Sequence, residues 1–166
     1  MTIAYIGIGS NVERDKHITA ACIELAKVSD DLQCSPVYAC APFGFQGDDF
    51  YNLVVKIDTQ MSLQKLNSVL KEIEVKWGRS IEAEKFQDRT LDLDILLFGN
   101  MISQIKPIVP RPDIFKYSFV IQPLYDLAPN LVIPQDGRTV EQILNAVSEP
   151  VALTKINFNF HSVSID

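Results

Sequence analysis

The sequence of 166 residues is poor in cysteine, has no long apolar run and carries less positive than negative charge. Its three cysteines, Cys22, Cys34 and Cys40, form an odd set without the spacing of a metal-binding motif. No apolar run approaches the roughly 20 residues of a membrane span, and the N-terminus shows no basic, apolar targeting segment. These absences argue against a disulfide framework and a membrane protein, and they predict a protein of the reducing cytoplasm.

Positive charge is scarce, with 15 Lys and Arg residues against 21 Asp and Glu residues and a formal net charge of −6. This balance disfavours nonspecific binding to nucleic acid or to an anionic membrane. The length fits one domain that buries roughly 70% of the surface its unfolded chain would expose. We therefore expect a single domain over residues 1–166 whose partners are small molecules.

Hydrophobic periodicity predicts alternating strands and helices in the first hundred residues. Strands are expected at 3–8, 32–39, 50–59 and 89–99, and helices at 13–28 and 63–77. The order βαββαβ, with mostly antiparallel pairing and both helices on one face, is typical of a ferredoxin-like α+β fold. The chain from Met101 onward, with a further helix expected at 139–147, adds elements around this core.

Two carboxylates stand at the start of the fourth predicted strand, where residues 89–99 read RTLDLDILLFG. Side chains alternate along a strand, so Asp92 and Asp94 project from one face with roughly 7 Å between their Cα atoms. Two such anions repel unless a cation joins them, and Mg²⁺ is often held by one or two carboxylates together with phosphates and water. A solvated strand edge explains the same spacing equally well, so the spacing alone leaves both interpretations open.

Several segments together resemble the 6-hydroxymethyl-7,8-dihydropterin pyrophosphokinase family. They are AYIGIGSN at 4–11, APFGFQ and FYNLVV around Pro42 and Asn52, RTLDLDILLFGN at 89–100 and FVIQPLYDLAP at 119–129. The resemblance implies transfer of pyrophosphate from ATP to a pterin alcohol in folate biosynthesis, giving AMP and the pterin diphosphate. It also implies ATP as co-substrate and Mg²⁺ as cofactor, expected as two ions.

The resemblance assigns roles on the nucleotide side of the site. By position, Asp92 and Asp94 bind the two Mg²⁺ ions that bridge the ATP phosphates. Arg89 matches the arginine of the same segment, where its planar guanidinium would contact a phosphate. Arg79 is similar to the family's first loop arginine, although a solvated arginine after a helix is an equal alternative. The other residues expected around ATP are Glu74, Lys85, Ile95, Arg111 and Lys116.

On the pterin side, the family encloses the flat ring between two aromatic side chains. These correspond to Phe50 and to Phe119, the latter near an expected final strand; without the resemblance both would be read as core residues. Asn52 would then read the ring edge, because an amide offers both a donor and an acceptor. The backbone of Pro42, Phe43 and Gly44 would border the pocket.

Departures from the family pattern concentrate on the ATP side. Arg111 stands where a histidine is expected, and Tyr117 takes the place of a second arginine. One interpretation is a divergent but working enzyme in which Arg111, Lys116 and Lys85 replace the lost cations. A second is a paralogue that binds pterin with a degraded ATP site, and a third is the same scaffold with another substrate. Retention of both aspartates and Arg89 favours the first.

Overall fold

The computed structural model describes residues 1–41, 48–78, 91–147 and 150–158. Strands and helices alternate along these residues as the sequence predicts. The elements are β1 Thr2–Ser10, α1 Arg14–Lys27, β2 Asp31–Cys34, β3 Val37–Cys40, β4 Phe50–Thr59, α2 Leu63–Lys76, β5 Asp92–Phe98, a short 3₁₀ helix Pro112–Phe115, α3 Ser118–Leu127, α4 Val140–Ala146 and β6 Thr154–Ile156.

The strands form one antiparallel sheet in the order β5-β1-β4-β3-β6, with β2 also paired to β4. If β2 and β3 are taken as the two halves of one strand, the first five strands and their two helices give the βαββαβ order of a ferredoxin-like fold. The predicted α+β class and the antiparallel pairing are therefore confirmed.

The strand expected at 32–39 is divided into β2 and β3, which corrects the sequence prediction. The interruption falls at Ser35, whose N–H donates to Val54 O at 2.9 Å while its Oγ accepts from Val54 N at 2.9 Å. Pro36 follows and has no N–H to give to a ladder. The Ser35 side chain thus takes the place of a backbone acceptor for Val54 N, and β4 pairs with both β2 and β3.

Helices α1 and α2 pack on one face of the sheet, as predicted. Their stripes of Ile18, Leu25, Leu66 and Leu70 are fully buried against alternate residues of the strands. Helix α2 begins where Ser62 Oγ accepts from Lys65 N at 3.1 Å, and it ends before Gly78, which has a φ of 103°. These local signals explain why its limits could be read from the sequence.

Helices α3 and α4 cover the opposite face. The expected strand at Phe119 is wrong, because the segment forms α3. Its apolar residues Val120, Ile121 and Leu124 recur at helical spacing and bury against Val54 of β4 and its neighbours. Helix α4 forms where a helix was expected, with a capping box at its start. Among the described residues, the helices are too short or too polar to traverse a bilayer.

Candidate active site

Strand β5 places Asp92 and Asp94 half-buried on the α3 side of the sheet. Leu93 and Ile95 alternate with them and are buried on the α1 and α2 side. The prediction that both carboxylates share one strand face is therefore confirmed. Strand β5 lies at the end of the sheet order, so this carboxylate pair sits at the margin of the sheet.

Glycines of β1 lie directly opposite the two carboxylates. Gly9 pairs with Asp92 and Gly7 with Asp94, and directly paired residues present their side chains on the same face. Neither glycine has a side chain, so the groups that lie against them come from other residues, Leu96 at Gly7 and Asn52 with Phe50 at Gly9. The sequence GIG within a strand is a signal for these paired glycines, and no role was predicted for either of them.

Asn52 lies on the far side of Gly9 from Asp92, so that Asp92, Gly9 and Asn52 form a row across β5, β1 and β4. It pairs with Gly9 across β1 and β4, and it is only 8% exposed. A Cβ atom on Gly9 would lie 2.9 Å from Asn52 Oδ1 and 3.8 Å from Phe50 Cδ1. The amide and the phenyl ring therefore both border Gly9. Two strand spacings place Asn52 about 10 Å from Asp92 across the sheet.

Arg111 brings a positive charge to this site. Its Nη2 lies 3.6 Å from Asp94 Oδ1, and its Nε lies 3.1 Å from Asp113 Oδ2. The main chain fixes this position, because Arg111 N donates to Leu96 O at 2.9 Å. Arg111 Nε is buried and has no hydrogen-bond acceptor in suitable geometry among the described residues. The guanidinium thus lies between Asp94 and Asp113 and attracts both carboxylates by charge.

The electrostatics of the carboxylate pair favour a bound cation. Burial and the neighbouring charge of Asp92 raise the pKa of Asp94 to about 7, although Arg111 acts in the opposite direction. Carboxylate oxygens are the hard ligands that Mg²⁺ prefers, and Mg²⁺ keeps water and phosphate in its remaining positions. Within the described ranges no third His, Cys, Asp or Glu joins them in a metal-binding group. Two half-buried carboxylates on one strand face fit Mg²⁺ bound together with a polyphosphate.

Glu74 and Ile95, both expected near ATP, lie on the other side of β5. Glu74 is 2% exposed, and its Oε2 accepts from Leu93 N at 2.7 Å, between the two aspartates. Its Oε1 lies 3.5 Å from Lys71 Nζ. The Ile95 side chain is 3% exposed, so any contact with a nucleotide would come from its main chain. Glu74 therefore supports the strand that carries the aspartates, and direct ATP contact stays a prediction for both residues.

Phe119 is the second residue of α3 and is half-buried on the same face of the sheet as Asn52. Tyr117, at the position where a second arginine was expected, stacks on it with ring centroids 5.0 Å apart and an interplanar angle of 17°. Lys116 is exposed just before this pair. Tyr117 thus supports Phe119 by stacking, at a position where a phosphate-binding cation was expected.

The other predicted site residues fall outside the described residues, so their roles stay predictions. They are Pro42, Phe43, Gly44, Arg79, Lys85 and Arg89. Sequence reasoning also missed Asp113, which contacts Arg111, and Tyr38, which pairs with Asn52 in the register of β3 and β4.

Comparison with known proteins first defines the class, a transferase of the kinase type. The model of the 7,8-dihydro-6-hydroxymethylpterin-pyrophosphokinase family matches residues 5–129. The chain therefore belongs to this family.

Named relatives are similar in sequence to this chain over most of their length. The pyrophosphokinase of Haemophilus influenzae is 38% identical over 148 residues, covering 86% of this chain and 92% of the relative. That of Aquifex aeolicus is 34% identical over 137 residues, covering 81% and 85%. The protein is thus a folate-pathway pyrophosphokinase that transfers pyrophosphate from ATP to hydroxymethyldihydropterin. This confirms the predicted family and activity, and the alternative of a pterin-binding paralogue with a degraded ATP site is not favoured.

Solved structures support the fold. A Plasmodium falciparum HPPK-DHPS crystal structure with SDX-DHP superposes with a TM-score of 0.68 at 14% identity. The match covers 87% of this chain and 45% of the Plasmodium chain. At this identity the likeness shows the fold alone.

Proposed function

We propose that Asp92 and Asp94 hold two Mg²⁺ ions with the phosphates of ATP, and that the pterin binds beside them over Gly9. The observation that carries this proposal is the row Asp92, Gly9 and Asn52, in which a carboxylate and an amide lie on either side of a glycine on one face of the sheet. Bound magnesium would neutralise the polyphosphate and the charge that develops during transfer.

The reaction joins the pterin hydroxyl oxygen to the β-phosphorus of ATP. The bond from that phosphorus to the oxygen bridging to the α-phosphate breaks, the hydroxyl loses its proton, and AMP leaves. The chain's contribution is alignment and charge, because phosphoryl-type transfer needs little covalent help from the protein. Arg111, whose Nη2 lies 3.6 Å from Asp94 Oδ1, is placed to contact a phosphate oxygen near that carboxylate.

Recognition of the pterin falls to the opposite end of the row. Asn52 presents one donor and one acceptor to the edge of a heterocycle. Phe50 borders Gly9, and Phe119 enters from α3 with Tyr117 behind it. Offset stacking of a flat ring on aromatic faces adds affinity beyond the area that it buries.

The position of Arg111 supports the interpretation of a divergent, working nucleotide site. Although a histidine was expected at this position, the guanidinium lies beside the metal-binding carboxylate and supplies a cation there. Lys116 and Lys85 complete the proposed replacement of cations. A half-buried arginine against a phosphate offers a stronger, bidentate contact than a neutral imidazole.

An assay of AMP release tests the proposal directly. With Mg²⁺, ATP and 6-hydroxymethyl-7,8-dihydropterin, we expect one AMP for each pterin diphosphate. Asp92→Ala and Asp94→Ala should each reduce kcat on the order of 10³-fold, the scale of losing a key electrostatic group. Asp31→Ala, which removes an exposed carboxylate of β2, is the matched control and should leave the rate unchanged.

Two results would contradict the proposal. If the folded wild-type protein releases no pterin-dependent AMP at millimolar ATP and Mg²⁺, the nucleotide site does not work as described. If the wild type is active but both alanine variants retain its rate and its dependence on Mg²⁺, the carboxylates are surface groups.

A further inference from the structure

Helix α3 is tied to strand β3 near its C-terminal end. The Tyr38 hydroxyl donates a hydrogen bond to the carboxylate of Asp126, across 88 positions of sequence. Tyr38 is only 6% exposed, so its hydroxyl depends on a protein partner. Gln122 Nε2 lies 3.3 Å from the other oxygen of Asp126, which holds the carboxylate toward the sheet.

Tyr38 belongs to the same row of the sheet as the proposed pterin site. It pairs directly with Asn52 between β3 and β4, so both side chains project toward α3. The bond to Asp126 therefore links the strands that present Asn52 to the helix that presents Phe119.

The N-terminal end of α3 is tied down by the segment 150–158. Val151 N donates to Ser118 Oγ at 3.0 Å, and Ser118 precedes Phe119 in the first turn of the helix. The same segment continues into β6, whose residues pair with β3 at Val37, Tyr38 and Ala39. Both ties thus lead from α3 to strand β3.

We propose that Tyr38 and Ser118 are positioning residues that hold Phe119 at the separation from Asn52 that a flat pterin ring requires. The inference rests on the proposed function, because it assumes that the pterin lies between these groups. The strength of stacking depends on the position of Phe119, since a gap of about 0.5–1 Å removes a quarter to a half of the dispersion attraction between facing atoms. A helix fastened at both ends also spares the ligand the cost of ordering it.

Steady-state kinetics of Tyr38→Phe and Ser118→Ala test this role. We expect the KM for pterin to rise about tenfold in Tyr38→Phe and about threefold in Ser118→Ala, the factors that single hydrogen bonds of modest strength control. The kcat and the KM for ATP should stay within about twofold. Tyr125→Phe, the same chemical change at a half-buried tyrosine of α3, is the matched control and should leave all three parameters unchanged. Ser118→Thr keeps a hydroxyl oxygen and should restore the pterin KM.

A binding measurement separates positioning from turnover. Pterin fluorescence is titrated with each variant in the presence of Mg²⁺ and α,β-methylene ATP, in which the bond to be broken is replaced. The Kd for pterin should follow the rise in KM. If Tyr38→Phe does not fold, Asp126→Ala removes the same bond from an exposed residue and carries the same expectation.

The inference is overturned if the wild type is active while Tyr38→Phe, or Asp126→Ala in its place, matches Tyr125→Phe in pterin KM. It is also overturned if pterin KM, ATP KM and kcat worsen together, because that pattern reports general loosening of the fold. Failure of the proposed function is a different result, since the wild type itself would then release no pterin-dependent AMP.

Discussion

Gly9 lies at the centre of the proposed site, and a side chain there would meet the Asn52 amide that we propose to recognise the pterin. A Cβ atom would come within 2.9 Å of Asn52 Oδ1, a distance at which one group must shift. Gly9→Ala should therefore raise the KM for pterin roughly tenfold and cost about 1–3 kcal/mol of stability from overpacking. Gly7→Ala is the control, since its Cβ would meet only Leu96 at an ordinary 3.5 Å. Equal KM values for the two variants in the AMP-release assay would contradict this account.

The cysteines differ in their expected reactivity. The Sγ atoms of Cys22 and Cys34 lie 3.8 Å apart, and this hydrogen bond raises the pKa of Cys22 while lowering that of Cys34. Burial raises the pKa of Cys40. Because the thiolate is the nucleophile, iodoacetamide at pH 8 should label the half-buried Cys34 first. Time-resolved mass spectrometry of the folded protein measures the order, and faster labelling of Cys40 would contradict it.

Among the elements, strand β5 depends on a buried side chain from α2. Glu74 accepts the N–H of Leu93, a donor that would otherwise be left without a partner in the core. Glu74→Leu should lower the free energy of unfolding by about 2–3 kcal/mol, and Glu74→Gln should lower it less because an acceptor oxygen remains. Urea denaturation measures both. Glu72→Leu on the exposed face of the same helix should change stability by no more than about 0.5 kcal/mol, and a similar loss there would contradict the role given to Glu74.

Elements with local signals were predictable from the sequence. The limits of α2 follow from Ser62 and Gly78, and the strand carrying Asp92 and Asp94 follows from its alternation. By contrast, the division at Ser35 arises from a side-chain bond to a residue 19 positions away. Helix α3 was misread because a short apolar run suits a buried strand as well as a buried helix.

The site shows the same division between local and distant information. The carboxylate pair was predictable because both residues lie on one strand. The contacts of Arg111 with Asp94 and of Tyr38 with Asp126 were not, because the folded chain alone brings these residues together. The roles expected for Phe50 and Phe119 came from resemblance, since spacing alone cannot separate a stacking ring from a core ring.

At the scale of the whole molecule, the raised pKa of Asp94 predicts how the free energy of unfolding depends on pH. An ordinary aspartate ionises near pH 4, whereas burial beside Asp92 raises the pKa of Asp94 to about 7 in the folded state. Between these values the folded protein binds a proton that the unfolded chain has released, so the free energy of unfolding falls as pH rises. The group's contribution is fully present below about pH 4 and is lost by about pH 7, at most about 4 kcal/mol in all.

Urea denaturation at intervals from pH 4 to 8 measures this dependence. Asp94→Asn should flatten the curve, because its side chain does not ionise. Mg²⁺ should raise the stability of the wild type above pH 7, where a cation binds both carboxylates in their ionised form. A wild-type curve as flat as that of Asp94→Asn would contradict the raised pKa.

The position of β5 at the margin of the sheet has a consequence for self-association. An open strand edge invites pairing with a second copy, and residues 91–98 are apolar except for the two aspartates. Glu74 accepts the N–H of Leu93, and Arg111 N donates to Leu96 O, so these two groups are not available to another strand. The paired negative charges of Asp92 and Asp94 repel the same strand of another copy. The groups that support this strand and those that we propose to bind magnesium and phosphate therefore also oppose aggregation. Variants that remove the aspartates can precipitate, so lost activity must be measured on protein shown to be monodisperse.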